Sequence, residues 1–185
     1  MDARQSEKRY TYADYCTWDD GERWELIDGI PYAMAPSPSQ LHQSLSMDIS
    51  NQLYNYLKDK ECKVFAAPFD VRLNPDTDDD IVVQPDIIVV CDDTKLDGKS
   101  CNGAPEMVIE ILSPSTQRHD RVVKLQLYQR YGVEEYWIVD PEEKTVQTHI
   151  LENNQYYINV YTEADEIPVH TLEGLTMKMS DVFAS

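Results

Sequence analysis

The sequence predicts an α/β domain, and three observations carry that reading. The runs Gln84-Pro85-Asp86-Ile87-Ile88-Val89-Val90 and Pro105-Glu106-Met107-Val108-Ile109-Glu110-Ile111-Leu112 are apolar enough to be strands covered on both faces. Leu41, Leu45, Ile49, Leu53 and Leu57 recur at four-residue steps, the seam of one long helix. Asp28-Gly29 and Asn153-Asn154 sit between apolar runs, where tight hairpin turns require residues that tolerate positive φ. A chain of 185 residues suggests one domain. No repeat, low-complexity tract or linker divides it, so the domain is expected over 10–185, with a polar, frayed terminus over 1–9.

Thr11 is placed to cap a short helix from Tyr12 to Trp18, and Gly21 ends the connection that follows. Trp24–Ile27 and Ile30–Met34 form an N-terminal hairpin around Asp28-Gly29. Pro36-Ser37-Pro38-Ser39 is a loop, and Ser39 or a neighbour starts the long helix, which runs to about Lys60. Strands are expected at Lys63–Ala67 and Phe69–Leu73. Residues 74–80 form an acidic turn that lacks the glycine and terminal glutamate of a calcium loop. The Asp86 strand follows, then a loop from Asp92 to Ala104, then the Glu110 strand. Pro114 breaks the chain before a helix over Asp120–Tyr131, which Gly132 ends. Glu135–Val139 is a further strand, Thr145–Leu151 and Gln155–Tyr161 a hairpin, and Leu172–Met177 with a turn at Ser180–Phe183 the close.

The composition narrows the partners. Thirty-four acids against sixteen bases give a formal charge of −18. Such a surface argues against non-specific capture of nucleic acid, which relies on cations. Lys58, Lys60 and Lys63, or Arg118, Arg121 and Arg130, are the local basic groups, and solvated helix faces account for both. Cys16, Cys62, Cys91 and Cys101 form no C-x-x-C pair and have no histidine at zinc spacing. Without a signal peptide or a long apolar run, the chain is expected to be cytoplasmic, not membrane-bound, with reduced thiols. Cys91 is expected to be a small core residue.

Two charges break the apolar pattern. Met107, Ile109 and Ile111 face one way along their strand, and Val108, Glu110 and Leu112 the other, so Glu110 is flanked by apolar neighbours. At about 100° per residue, Asp120, Val123, Lys124, Leu127, Tyr128 and Tyr131 share one side of their helix. Lys124 therefore points inward. A snorkelling lysine, a local Asp120–Lys124 pair or a structural Glu110–Lys124 pair would explain it without chemistry. A buried pair is often no more stable than a hydrophobic replacement, so function is the better reason to keep one. Asp86 adds an acid at the mouth of the neighbouring strand. Two carboxylates from adjacent strands, with the Ile111 carbonyl, suit Mg²⁺ or Mn²⁺, which take hard oxygen ligands. A lysine beside them can orient water or stabilise a charged transition state. His42, at the head of the long helix, reads as a packing or hydrogen-bonding residue, and Ser113 and Thr116 as helix caps.

These residues also lie in a recognisable order. Trp24-Glu25-Leu26-Ile27-Asp28-Gly29, His42-Gln43, Gln84-Pro85-Asp86-Ile87 and Glu110-Ile111-Leu112-Ser113-Pro114-Ser115-Thr116 come first. Asp120-x-x-x-Lys124, Tyr128 and Gly132-Val133-x-Glu135-Tyr136-Trp137-Ile138-Val139-Asp140-Pro141 follow. From about Tyr12 to Phe183 the chain resembles the Uma family of restriction endonucleases, within the PD-(D/E)XK nuclease superfamily. The resemblance implies a restriction-endonuclease-like core, a mixed sheet flanked by helices, with the metal site at one end. Asp86 matches the PD aspartate and Glu110 the first position of (D/E)-x-K. Leu112 stands where that motif has its lysine, and Lys124 matches the family's migrated lysine on the next helix. Glu25 matches the acid supplied by the N-terminal region, although an exposed strand residue would also fit. The expected activity is metal-dependent hydrolysis of DNA, performed by a homodimer because two equivalent sites cut two strands most simply. Two readings compete with it: a non-catalytic binding protein on the same fold, which the acidity favours, and a hydrolase of smaller phosphate esters.

Overall fold

The computed structural model describes residues 8–34 and 37–184. Most of the expected frayed terminus, and Pro36 of the expected loop, lie outside the described residues. Thr11 caps α1 (Tyr12–Tyr15) reciprocally: its hydroxyl accepts the Asp14 N–H, and the Asp14 carboxylate accepts the Thr11 N–H. The helix is one turn, shorter than its expected reach to Trp18. β1 (Trp24–Ile27) and β2 (Ile30–Ala33) pair antiparallel, with Asp28 and Gly29 at φ 49° and 71°. Those values are the left-handed turn geometry that the sequence calls for. Ser39 accepts the His42 N–H and starts α2 (Gln40–Leu57), which ends just short of the expected Lys60.

Among the described residues, eleven strands make two larger sheets, and two more make a small ribbon. The first sheet has the order β2-β1-β5-β4-β7, where β4 is Asp70–Arg72, β5 Val82–Val83 and β7 Ser100–Asn102. The second has the order β11-β10-β9-β8-β6-β3. Its strands are β3 (Lys63–Ala66), β6 (Ile87–Val90), β8 (Met107–Ile111), β9 (Glu135–Asp140), β10 (Thr145–Glu152) and β11 (Gln155–Thr162). Only β8 and β9 run parallel in that sheet, so it is mixed. β12 (Glu166–Pro168) and β13 (Thr176–Lys178) form the ribbon, and α4 (Met179–Val182) closes the chain.

The alternation of β6 and β8 divides the core in two. Ile87, Val89, Met107, Ile109 and Ile111 pack with Leu45, Ile49, Leu53 and Leu57 of α2. Ile88, Val90, Val108 and Leu112 pack with Val71, Ile81 and Val83 of the first sheet and with Leu127 and Tyr128. Glu110 shares the second face by its position between Val108 and Leu112. Leu41, the first member of the helical seam, lies beyond the core and is 43% exposed.

Four expectations need correction. The stretch read as a loop over Asp92–Ala104 holds a 3₁₀ turn at Asp93–Lys95 and strand β7, which pairs parallel with β4. A three-residue strand has no periodicity to detect; it is held by its partner and by Asp97, which accepts from the Lys99 and Ser100 N–H groups. The helix expected over Asp120–Tyr131 opens as a π-helical turn, His119–Lys124, before α3 (Leu125–Tyr131). The C-terminal strand of the ribbon is displaced to Thr176–Lys178, and α4 replaces the expected turn. Finally, Cys62 and Cys91 form a disulfide with S–S 2.07 Å. They stand one step past the Lys63↔Val90 pair of β3 and β6, with Cα atoms 3.9 Å apart. Pairing of strands far apart in sequence brings them together, so spacing alone gave no sign of it. The ground for expecting reduced thiols is removed at this pair. Among the described residues no helix is long and apolar enough to cross a membrane.

Candidate active site

The register of β6 against β8 sets the site. Ile87 faces Ile109, so one step further Asp86 stands opposite Glu110. Asp86 Oδ2 accepts the Ile111 N–H at 2.7 Å and lies 3.2 Å from His42 Nε2. α2 delivers His42 there because Ser39 fixes where that helix begins. Burial disfavours a charged imidazole, but Asp86 outweighs it and raises the His42 pKa.

Glu110 is 4% exposed. Its Oε1 accepts from Lys124 Nζ and from the Tyr128 hydroxyl, each at 2.9 Å. The π-helical turn carries Asp120 and Lys124 inward, and α3 continues with Leu127 and Tyr128 in the core. Lys124 Nζ also lies 2.9 Å from Glu25 Oε1 and 3.8 Å from Asp120 Oδ1. The local Asp120–Lys124 pair thus exists but is the longest of the three. Glu25 comes from β1 and is buried, which excludes the exposed-strand reading. Its Oε1 also accepts the Gln84 N–H at 3.0 Å. His119 Nε2 lies 3.4 Å from Glu25 Oε2, close enough for an ion pair but not aligned as a hydrogen bond.

Three buried carboxylates therefore crowd one ammonium, with Asp86 beside them. Burial pushes Glu110 well above its ordinary pKa, and the charges of Asp120, Asp86 and Glu25 push the same way against Lys124. Burial likewise raises Asp120. Glu25 goes the other way: burial would raise it, yet the Lys124 ammonium, His119 and the Gln84 N–H together hold it at about 2. Lys124 is held charged, because the surrounding acids outweigh its burial.

The four carboxylates, Lys124 and the two histidines line one cleft of about 990 Å³, which Tyr32, Met34, Leu41 and Met47 also line. Asp86 Oδ1 and Glu110 Oε2 accept no hydrogen bond from the described residues. Two hard oxygens from adjacent strands are thereby left for a divalent ion, and the donor chemistry fits Mg²⁺ or Mn²⁺. Among the described residues no group of three or more His, Cys, Asp and Glu side chains gathers to hold a metal. The arrangement is a two-carboxylate one that would need backbone or solvent oxygen to complete it. His42, His119 and Tyr128 join this site without having been expected in it. His42 and Tyr128 lie in the motifs that carry the resemblance but read as packing residues, and His119 carries no local signal.

The architecture is that of a nuclease-like α/β fold. The family model described as "putative restriction endonuclease", Uma2, matches residues 11–180, and the chain belongs to that family. It is 24% identical over 174 residues to an uncharacterised Synechocystis protein, slr1290, with 92% of this chain and 89% of that one covered. Its fold is similar to the crystal structure of "a putative nuclease belonging to DUF820" from Anabaena variabilis. That similarity has a TM-score of 0.76 at 19% identity, and covers 95% of this chain and 98% of the other.

Proposed function

We propose that residues 10–185 form one domain that hydrolyses DNA phosphodiester bonds with Mg²⁺ or Mn²⁺. The observation that carries the reading is the buried Glu110–Lys124–Glu25 cluster directly beside Asp86 at the floor of a cleft. Asp86 and Glu110, with the Ile111 carbonyl, would hold the ion. When bound, it would lower the pKa of a bound water and neutralise charge on the scissile phosphate. Lys124, fixed by Glu25 and Glu110, presents a cation to the charge that develops on that phosphate. Glu25 acts by positioning Lys124, and Tyr128 by holding Glu110.

The test is cleavage of plasmid and short DNA with Mg²⁺ and Mn²⁺ by the wild type and by Asp86→Ala, Glu110→Ala and Lys124→Ala. Metal-dependent cutting by the wild type alone is expected. If all four are equally inert, the protein binds rather than cuts, as its charge of −18 would favour. Equal cutting by all four marks a contaminant.

We also propose a homodimer through the free edge of β11. That strand carries no charged residue and among the described residues pairs only with β10, and Tyr157, Ile158 and Val160 are 53%, 57% and 61% exposed. An unguarded edge of this kind is a template for another strand. Sedimentation is expected to give a dimer that Ile158→Lys dissociates; a wild type that stays monomeric at micromolar concentration refutes it.

A further inference from the structure

We propose that the cleft takes an unpaired DNA strand, with bases stacked on an uncharged wall and only the scissile phosphate drawn down to the acids. The inference rests on the nuclease reading above and concerns what that site accepts. In a chain with 27% charged residues, positions 29–47 contain no Asp, Glu, Lys or Arg. Described residues of this stretch contribute to the lining of the cleft. Tyr32, Met34, Pro38, Leu41 and Met47 line the same cleft as Asp86 and Glu110. Tyr32, Leu41 and Met47 are 36%, 43% and 71% exposed. Leu41 continues the apolar seam of α2 past the end of the core, so that seam surfaces inside the cleft. The Tyr32 ring rests against His119 with centroids 5.3 Å apart, which fixes one face and leaves the rest of the residue accessible.

The charge on the cleft excludes the usual way of holding a duplex. Double-stranded DNA is held mainly by lysines and arginines that neutralise several phosphates. Arg23 and Lys124 are the cationic residues among those lining the cleft. Arg23 donates through Nε and Nη2 to Gln84 Oε1 at 3.0 and 2.6 Å, and Lys124 is buried among carboxylates. On the surface, Lys63, Arg121 and Arg130 are paired with Asp93, Asp140 and Asp28. A neutral wall of tyrosine, methionine and leucine instead matches the neutral faces of bases. Stacking on such side chains binds single strands with little sequence preference. The volume of about 990 Å³ is enough to take a few nucleotides of unpaired chain.

The experiment is fluorescence anisotropy with a short oligothymidylate, an abasic oligonucleotide of equal length and an equal-length duplex. Ca²⁺ replaces Mg²⁺ so that the strands stay intact. The oligothymidylate is expected to bind at least about tenfold tighter than either competitor. Tyr32→Ala and Met47→Ser should each weaken it by on the order of tenfold. The slope of log K against log salt should correspond to about one or two phosphates. Met47 is 71% exposed, so Met47→Ser preserves the fold even if Tyr32→Ala disturbs its hairpin. If the duplex or the abasic strand binds as well as oligothymidylate, or both variants bind like the wild type, the proposal falls. Duplex that is bound and cut as well as single strand leaves the nuclease reading standing without it. No binding of any oligonucleotide, with no cleavage, defeats both. Variants that dissociate a dimer while binding oligothymidylate normally assign the wall to a second copy of the chain, and also overturn the proposal.

Discussion

Replacing Lys124 by methionine removes the one cation from the buried cluster while keeping a side chain of similar length. Glu25 and Glu110 each lose a contact of 2.9 Å, and Asp120 its neighbour at 3.8 Å. Glu25 gives the scale. Its pKa is held at about 2 against an ordinary 4.5, and each pK unit is worth about 1.4 kcal/mol, so the ionised form gains about 3 kcal/mol in the fold. Breaking a buried pair by removing one partner costs a similar ~3–5 kcal/mol. Lys124→Met is therefore expected to lose about 3 kcal/mol at pH 7. The sign with pH follows from the direction of the shift. A depressed carboxylate contributes its stability fully above pH 4.5 and loses it as pH falls toward about 2. The gap between wild type and variant should thus narrow below pH 4.5. Urea unfolding followed by tryptophan fluorescence, in EDTA, at pH 7 and down through the acid range measures it. A gap below about 1 kcal/mol at pH 7, or one that does not change with pH, refutes the view that Lys124 holds this cluster together.

Two further outcomes can be measured with the same material. Mg²⁺ or Mn²⁺ at a hundred times its dissociation constant should stabilise the wild type by about 2.7 kcal/mol; a thermal shift that survives in Asp86→Ala would place the ion elsewhere. The Cys62–Cys91 disulfide spans 29 residues, and Cys62→Ser should cost about 3 kcal/mol without altering cleavage at 25 °C. Lost activity in a still-folded Cys62→Ser protein would mean that the bridge shapes the cleft.

The strands and helix that carry Asp86, Glu110 and Lys124 were legible because each charge interrupts an apolar pattern, and a solvated surface does not need such an interruption. Their partners were less so. Glu25 is one polar residue in a four-residue strand, where burial depends on β5 beside it. His42 reaches Asp86 only because α2 begins against the mouth of β6, a meeting of segments 44 residues apart. β7 and the disulfide have the same cause: short elements take their structure from partners distant in sequence, and periodicity cannot report them. The π-helical turn was hidden differently. Its side chains keep nearly the same inward set as the α-helix expected there, so the pattern of apolar residues does not distinguish the two.

That turn makes the site adjustable by length. A π-helical turn is what an α-helix becomes when it accommodates one extra residue. Within His119–Lys124 such a residue costs the core little, because Leu127 and Tyr128 are anchored on the following turns and Val122 is 48% exposed. Loss of one position here would rewind the helix and swing His119 and Asp120 by about 100° relative to Lys124. Insertions and deletions at this point can therefore exchange which charges face the cleft while every packed residue stays in its seat.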